Sequence, residues 1–132
     1  MNDFYDSGVE GLLDGSVRWA KDALRVCLVQ PSYRFDPSHS TMTDVIQHSI
    51  GASETLTGCE VSGRKLLADD TYVLATKPAT ANQIVVYVHA KDTPSARLVL
   101  CTSIRQVKVV AGQRVDVSPE DGVLAVFGEA RG

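Results

Sequence analysis

The strongest constraint on the fold is a run of β-branched and aromatic residues in the second half of the chain. Residues 83–90 read Gln-Ile-Val-Val-Tyr-Val-His-Ala. Such residues favour extended backbone, and a strand that is apolar on both sides has to be covered on both faces of its sheet. The sequence therefore predicts a central strand over residues 83–90 that is buried on both faces.

Other short strands are predicted at intervals of about 8–12 residues, separated by Gly, Pro and Asp turn residues. They are residues 17–19, 24–30, 54–60, 64–67, 72–75, 97–101, 107–110, 114–117 and 123–127. This spacing indicates a mainly β fold, either an antiparallel β-sandwich or a small β-barrel with one or two short helices. A length of 132 residues fits a single domain over residues 1–132.

Turn residues suggest how the strands are connected. Ser62-Gly63 and Ala111-Gly112 each read as the turn of a hairpin, the second joining residues 107–110 to residues 114–117. Residues 91–95 turn the chain between the central strand and residues 97–101, and residues 76–82 are a polar connector. Asp14-Gly15 and the weaker Lys21-Asp22 are further turn signals.

Two short helices are predicted. Residues 3–13 carry apolar residues on one face, although Gly8 and Gly11 each cost about 1 kcal/mol relative to Ala in a helix interior. Ser40 or Thr41 is the expected N-cap of a second helix that ends at His48, and Gly51 lies where that helix would stop.

Composition argues against several classes of protein. The chain is 44% hydrophobic and 22% charged, which is typical of a globular domain, and its net charge is −3. A protein that binds nucleic acid usually carries a basic face, so direct DNA or RNA binding is not expected. The acidic N-terminus without a following apolar region, and the absence of a run of about 20 apolar residues, predict a soluble protein of the cytoplasm that does not enter a membrane.

The three cysteines do not predict a disulfide framework or a metal site. Cys27, Cys59 and Cys101 are odd in number and far apart in sequence. We therefore expect reduced, buried thiols. Asp69-Asp70 lacks the other alternating oxygen ligands of a calcium loop, and turn formation explains it better.

No catalytic motif is recognisable, so we expect no enzyme activity, no cofactor and no metal. His39, His48 and His89 have no partner at a ligand-like spacing, and there is no nucleophile elbow or phosphate loop. His89 is expected in the core or at a strand edge, and His39 and His48 in solvent. An enzyme becomes the better interpretation only if the fold brings His39 or His48 beside Asp36 and Asp44 in a cleft.

Aromatic residues near the first long strand are the remaining candidates for a binding site. Trp19 is better explained as a plug at one end of the sheet packing than as an interface anchor. Tyr33-Arg34-Phe35 lies in a predicted loop, where binding residues concentrate, and large aromatic side chains often anchor interfaces.

The order of these segments resembles a group of small virion proteins of tailed bacteriophages, over nearly the whole chain. The matching motifs are Phe4-Tyr5, Leu12-Leu13-Asp14-Gly15, Val17-x-Trp19, Leu24-Arg25-Val26-Cys27-Leu28-Val29, Tyr33-x-Phe35-Asp36-Pro37-x-His39, Asp44-Val45, Val61-Ser62-Gly63-Arg64-x-Leu66, Ile84-Val85-Val86-Tyr87, Lys91-Asp92-Thr93 and Asp121-Gly122-Val123-Leu124. Residues 20–23, Ala-Lys-Asp-Ala, depart from the more acidic and Thr-rich approach to the strand in that group.

The resemblance implies a structural role and supplies no catalytic residues. The first expectation is a capsid decoration, or cement, protein that binds the major capsid protein on the outer shell as a homo-oligomer such as a trimer. It would lie on the capsid surface of the virion, and in the host cytoplasm during assembly. The alternatives are a tail component (tube, tip, baseplate or fibre) and a host-surface binding module.

The candidate partner-binding residues lie in two segments. Residues 1–13 are expected either to form an arm that reaches a neighbouring subunit or to pack as a helix on their own sheet. The candidates are Phe4, Tyr5, Tyr33, Arg34, Phe35 and His39.

Overall fold

The predicted central strand over residues 83–90 corresponds to β7 (Ala79–Val88), which begins four residues earlier and ends two residues earlier than predicted and pairs with a neighbour on each side. The computed structural model describes residues 2–119 and 122–126. Over these residues the fold is mainly β with antiparallel sheets that do not close into a barrel, and it is sandwich-like, as predicted. The other elements are β1 (Asn2–Phe4), α1 (Asp6–Asp14), β2 (Leu24–Val29), β3 (Ser49–Ala52), β4 (Glu60–Ser62), β5 (Lys65–Leu67), β6 (Thr71–Leu74), β8 (Leu98–Val109), β9 (Arg114–Val117) and β10 (Val123–Val126).

The first layer is a five-stranded sheet with the order β1-β8-β7-β2-β3. β8 is one strand of 12 residues, so the two strands predicted over residues 97–101 and 107–110 are continuous. The join is a bulge: Gln83 pairs with Ser103 and Ala81 with Val107, so three residues of β8 lie opposite Asn82. This bulge absorbs the polar residues that suggested a break in the strand.

The second layer is a bent ribbon. β6 pairs with β9, and β5 pairs with both β10 and β4. Leu67 lies opposite Val123 and Thr71 opposite Val117, so residues 65–67 run against residues 123–126 and residues 71–74 against residues 114–117. The predicted hairpin between residues 107–110 and 114–117 is therefore wrong, because β9 pairs with β6 and not with β8.

The two layers are joined along one side of the sandwich, where β3 meets β6. The backbone N–H of Thr76 donates to the carbonyl of Ile50 at 2.9 Å. Gly51 has a φ of 139°, and a Cβ there would lie 2.5 Å from the carbonyl oxygen of Leu74. A side chain at this position would hold the layers apart, so Gly51 permits the contact rather than ending a helix.

Apolar side chains cover both faces of the five-stranded sheet. One core fills the space between the layers and contains Trp19, whose indole N–H donates to the carbonyl of Leu67 at 2.8 Å. This position confirms the interpretation of Trp19 as a packing residue. A second core lies on the opposite face of the sheet around Val85 and Tyr87.

The N-terminal segment packs against β8. β1 pairs with β8 through Phe4 and Leu100, and α1 follows at once, so the helix predicted over residues 3–13 is confirmed only from Asp6. A Cβ on Gly8 would overlap the backbone carbonyl of Val99. Gly8 therefore allows a close helix-sheet contact, and this explains a glycine that is unfavourable in an isolated helix.

Several local predictions are wrong. Residues 17–19 are not a strand, and residues 41–48 form two single 3₁₀ turns, Met42–Asp44 and Ile46–His48, instead of an α-helix. Residues 54–59 are irregular, the polar connector 76–82 already belongs to β7 from Ala79, and β3 was not predicted. The predicted strands over residues 24–30, 64–67, 72–75 and 114–117 are confirmed within one residue or two. The last predicted strand is confirmed over Val123–Val126, and its Phe127 lies outside the described residues.

Candidate functional site

The long connection after β2 folds over one face of the main sheet, and we call residues 30–48 the aromatic lid. Its two ends are tied together by a hydrogen bond from the Gln30 N–H to the His48 carbonyl at 3.0 Å. The Gln83 side chain in β7 donates to the carbonyl of Tyr33 at 3.0 Å. The inward side chains of the lid belong to the second core. The lid is thus a packed part of the fold.

A chain of hydrogen bonds runs through the centre of the lid. The hydroxyls of Tyr5 and Tyr33 are 2.6 Å apart, and the Tyr33 hydroxyl is 2.9 Å from Nδ1 of His39. Tyr5 is fully buried and Tyr33 is 3% exposed. Burial raises the pKa of Tyr33 to about 12, and it raises the pKa of Tyr5 well above the usual value of 10. These hydroxyls therefore hold their protons and serve as neutral hydrogen-bonding groups.

The candidate binding residues are separated by the fold. Phe4 is buried in the core between the layers, on the other side of the sheet from Tyr5 and Tyr33. Phe35 is half-buried with its ring centroid 4.9 Å from that of Tyr5, and Arg34 is exposed. Arg34, Phe35 and part of His39 are the candidates that reach the surface, whereas Phe4, Tyr5 and Tyr33 lie in the interior.

The two histidines of the lid flank the Tyr33 ring. Ring centroids of His39 and His48 lie 5.7 and 5.5 Å from that of Tyr33, and the Ser32 hydroxyl is 2.8 Å from Nδ1 of His48. Both histidines are partly buried, not fully solvated as predicted. His89 lies just beyond the end of β7 and is exposed, so its predicted place in the core or at a strand edge is wrong.

The Asp36 carboxylate of the lid makes local contacts. Asp36 accepts hydrogen bonds from the backbone N–H and the hydroxyl of Ser38 at 2.9 and 2.8 Å, and these bonds lower the pKa of its carboxyl. Local backbone bonding was the interpretation of Asp36 from sequence. The imidazole hydrogen bonds of His39 and His48 go to hydroxyl groups and to the Gln47 amide. The Asp36 carboxylate interacts with His39 electrostatically, which also lowers the pKa of Asp36.

The three cysteines are free thiols in two kinds of environment. Cys27 and Cys101 are buried below the lid and flank Val85, each paired with it across the sheet. Two strand spacings separate their backbones by roughly 9–10 Å, which exceeds the reach of a disulfide. Cys59 is only partly buried. The described residues contain no group of three or more His, Cys, Asp or Glu side chains placed to hold a metal ion.

An exposed apolar patch lies on the outer face of the ribbon, and sequence reasoning missed it. Tyr72 and Leu74 are 40% and 50% exposed on β6, and Val110 is 60% exposed in the turn that leads to β9. The Arg114 guanidinium stacks 4.2 Å from the centroid of the Tyr72 ring, and Asp116 accepts a hydrogen bond from Arg114 Nε at 2.8 Å. We call these five residues the ribbon patch. The available signal was the sequence Thr-Tyr-Val-Leu, which is apolar on both sides of a peripheral strand.

A groove separates the layers on the side opposite the β3–β6 contact, and we call it the edge seam. Its volume is about 1020 Å³, and its walls are residues 102–107 of β8 and residues 115–119 at the edge of β9. β1 occupies the outer edge of β8 only as far as Thr102. Among residues 2–119 and 122–126, no strand pairs with β8 beyond that point on this side, or with the outer edge of β9.

No protein-family model, curated protein or solved structure matches this chain. Within the described residues, no helix is long and apolar enough to cross a membrane. The physical features available for assigning a role are therefore the packed lid, the ribbon patch and the edge seam.

Proposed function

We propose that this chain is a structural protein of a tailed-bacteriophage virion, and that it acts as a capsid decoration protein bound to the outer face of the shell. The sequence resemblance supplies the class of particle. The ribbon patch is the observation that supports a binding role, because it presents exposed side chains on and beside the paired strands β6 and β9.

The composition of the ribbon patch suits a protein interface. Tyr and Arg are the residue types most enriched among those that dominate binding energy. Tyr72 and Arg114 are already stacked in the free protein, so little side-chain freedom remains to be lost on binding. Leu74 and Val110 add exposed apolar area beside this pair. A surface of this kind fits the folded face of a major capsid protein.

Binding to the assembled lattice would stabilise the shell by mass action. A ligand that binds only the assembled state opposes disassembly by about 2.7 kcal/mol per site at a free concentration of 100 Kd. The stabilisation free energies of many weak sites then add up over one particle. Around a threefold junction of the shell, three copies would sit in equivalent positions, which accounts for the expected homo-oligomer.

The experiment that tests this role is a copy-number measurement. Purified particles are analysed by quantitative mass spectrometry for the ratio of this chain to the major capsid protein. Hundreds of copies in a simple ratio support decoration. A few to a few dozen copies would instead assign the chain to the tail or a vertex, and its absence from the particles would overturn the virion role.

A pair of surface variants tests the ribbon patch itself. Leu74→Ser is expected to reduce the amount bound to particles lacking the native protein by at least tenfold. Val61→Ser is the matched control, because Val61 is 56% exposed on β4, which pairs with β5 and not with β6 or β9. Equal binding of the two variants, with both folded, would contradict the assignment of the patch.

A further inference from the structure

The hydrogen bonds inside the lid can run in either of two directions. The hydroxyls of Tyr5 and Tyr33 are 2.6 Å apart, the Tyr33 hydroxyl is 2.9 Å from Nδ1 of His39, and we call these three side chains the hydroxyl chain. Each hydroxyl has one proton to donate, and a buried O–H group needs an acceptor. The two bonds are therefore coupled, because the direction of the outer bond decides the direction of the inner bond.

Donation runs outward when Nδ1 of His39 carries no proton. Tyr33 then donates to Nδ1 and Tyr5 donates to Tyr33, so both buried O–H groups have good acceptors. The Cys101 thiol, which also hydrogen-bonds with Tyr5, can donate to Oε1 of Gln83 at 3.4 Å. The outward direction is thus the favoured arrangement for a neutral His39 with its proton on Nε2.

A proton on Nδ1 reverses the hydroxyl chain. A protonated imidazole is a donor at both nitrogens. Nδ1 of His39 then donates to the Tyr33 oxygen, and Tyr33 donates to Tyr5. The Tyr5 hydroxyl has to donate to Sγ of Cys101, which is a weak acceptor. The reversal needs no proton transfer between residues, because each hydroxyl only rotates about its C–O bond.

We propose that the hydroxyl chain is a pH-sensitive switch, with His39 at its outer end and the Tyr5 hydroxyl and Cys101 thiol at its inner end. Neutral His39 holds the outward direction, and protonation of His39 turns both hydroxyls inward. His39 is partly exposed, whereas Tyr5 is fully buried. The switch thereby carries the protonation state of an imidazole near the surface into the second core. It does not depend on the proposed function.

Charged groups from the lid and from the neighbouring elements lie around the outer end of the chain. Asp36 interacts electrostatically with His39, and Asp44 interacts with the next member of the chain. Asp6 is the charged residue that α1 brings to the lid, since its backbone N–H donates to a lid carbonyl at 2.9 Å. Arg97 of β8 donates to a carbonyl of α1 and to a serine hydroxyl. A protonated His39 would therefore face the Asp36 carboxylate as its counter-ion.

The thiols at the inner end do not titrate together with an imidazole. Burial raises the pKa of Cys27 and Cys101 to about 12, far above the range in which imidazoles change charge. His48 is the other imidazole beside the chain, with its ring centroid 5.5 Å from that of Tyr33. Its nitrogens contact the hydroxyl of Ser32 and a neighbouring amide, not the Tyr33 hydroxyl. His48 is therefore the group from which the response has to be distinguished.

Nuclear magnetic resonance of the native protein tests the switch. A ¹⁵N label reports whether Nδ1 of His39 carries a proton, and a ¹³C label on the tyrosine Cζ atoms reports on each hydroxyl. Spectra are recorded between about pH 8 and pH 5, where imidazoles change charge. We expect an unprotonated Nδ1 at pH 8 and a Tyr5 resonance that shifts with the same midpoint as His39. The exposed Tyr72 is the internal reference and should change little.

Two results of this titration would overturn the proposal. One is a Tyr5 resonance that does not follow His39, and the other is a neutral His39 with its proton on Nδ1. The titration uses the wild-type protein, so it does not depend on the folding of any variant.

Two variants separate the switch from a direct electric field of the imidazole. Tyr33→Phe removes the middle hydroxyl and leaves His39 free to titrate, so the Tyr5 response should be lost. His48→Gln is the matched control, and the Tyr5 response should remain unchanged. A Tyr5 response that persists in folded Tyr33→Phe would show a field effect and overturn the proposal. Loss of the response in His48→Gln would assign it to His48 and also overturn the proposal.

Discussion

The aromatic lid and the edge seam both lie against the five-stranded sheet, and they differ in how fully they cover it. On one face, residues 30–48 cover the sheet and turn their aromatic side chains inward, where Tyr33 is 3% exposed. At the edge of β8, the sheet ends in backbone groups that no described strand covers beyond Thr102. The lid covers its face of the sheet with packed side chains, whereas the edge seam is a groove between the two layers.

This difference teaches where binding surfaces arise in a small β domain. Aromatic residues in a long loop suggested a binding site, yet a loop of this length forms a core of its own when it has apolar residues to bury. The surface left available is set by strand pairing, which depends on contacts far apart in sequence. Loop composition alone therefore does not show which of the lid residues reach the surface.

The largest expected effect comes from truncating the two tyrosines that represent the two environments. Tyr33→Ala should lower the free energy of unfolding by about 3–5 kcal/mol, because it removes a buried ring and leaves a cavity. Tyr72→Ala should cost less than about 1 kcal/mol, because its ring is 40% exposed. Urea denaturation followed by the fluorescence of Trp19, the only tryptophan, measures both values. Similar losses in the two variants would contradict the distinction between a packed lid and an exposed patch.

A smaller effect isolates the hydrogen bonds of the lid. Tyr33→Phe keeps the ring and removes the hydroxyl that lies 2.6 Å from that of Tyr5. The buried Tyr5 hydroxyl then loses this partner, and we expect a loss of about 1–3 kcal/mol in unfolding free energy.

The double variant Tyr5→Phe/Tyr33→Phe is the informative control for this bond. It removes both hydroxyls, so it should cost less than the sum of the two single changes. Strict additivity in urea denaturation would show that the two hydroxyls do not interact. Tyr72→Phe should leave the midpoint unchanged.

Alkaline pH tests the lid without any substitution. Burial raises the pKa of the Cys27 and Cys101 thiols to about 12 from 9, and that of Tyr33 to about 12 from 10. The folded protein keeps these protons while the unfolded chain releases them, so stability is complete below about pH 9 and falls as the pH rises to 12. Each group that titrates adds about 1.4 kcal/mol per pH unit to the slope. Denaturation between pH 8 and pH 11 measures this slope, and a flat profile would show that the groups are solvated.

The sequence predicted local structure well and pairing poorly. Residues 83–90 were recognised as a buried strand because a continuous apolar run leaves few alternatives. β8 was predicted as two strands because the more polar residues 102–106 indicated a break, whereas a bulge lets the strand continue through them. The pairing of β9 with β6 depends on contacts between residues 40 to 46 positions apart, for which no local signal exists.

In the candidate site, too, local structure was predicted better than features that depend on strand pairing. Asp36 was correctly assigned to local backbone bonding, since an aspartate two residues before a serine makes that bond within one turn. The ribbon patch and the edge seam could not be predicted, because both require the register of strands that are distant in sequence. Tyr5 and Tyr33 were singled out by residue type, which does not show whether a side chain faces solvent or another tyrosine.

The smallest expected effect is in thiol labelling of the native protein. It compares the cysteines below the lid with the more accessible Cys59. Cys59 is partly buried, whereas Cys27 and Cys101 lie below the lid and are nearly inaccessible. Burial also raises the pKa of all three thiols, which reduces the reactive thiolate, so native labelling should be slow even at Cys59. We expect one thiol per native chain to react with a maleimide and three per chain in urea, measured by intact mass. Labelling of Cys27 or Cys101 at the rate of Cys59 would mean that the lid opens readily, and residues 30–48 would then become a second candidate surface beside the ribbon patch.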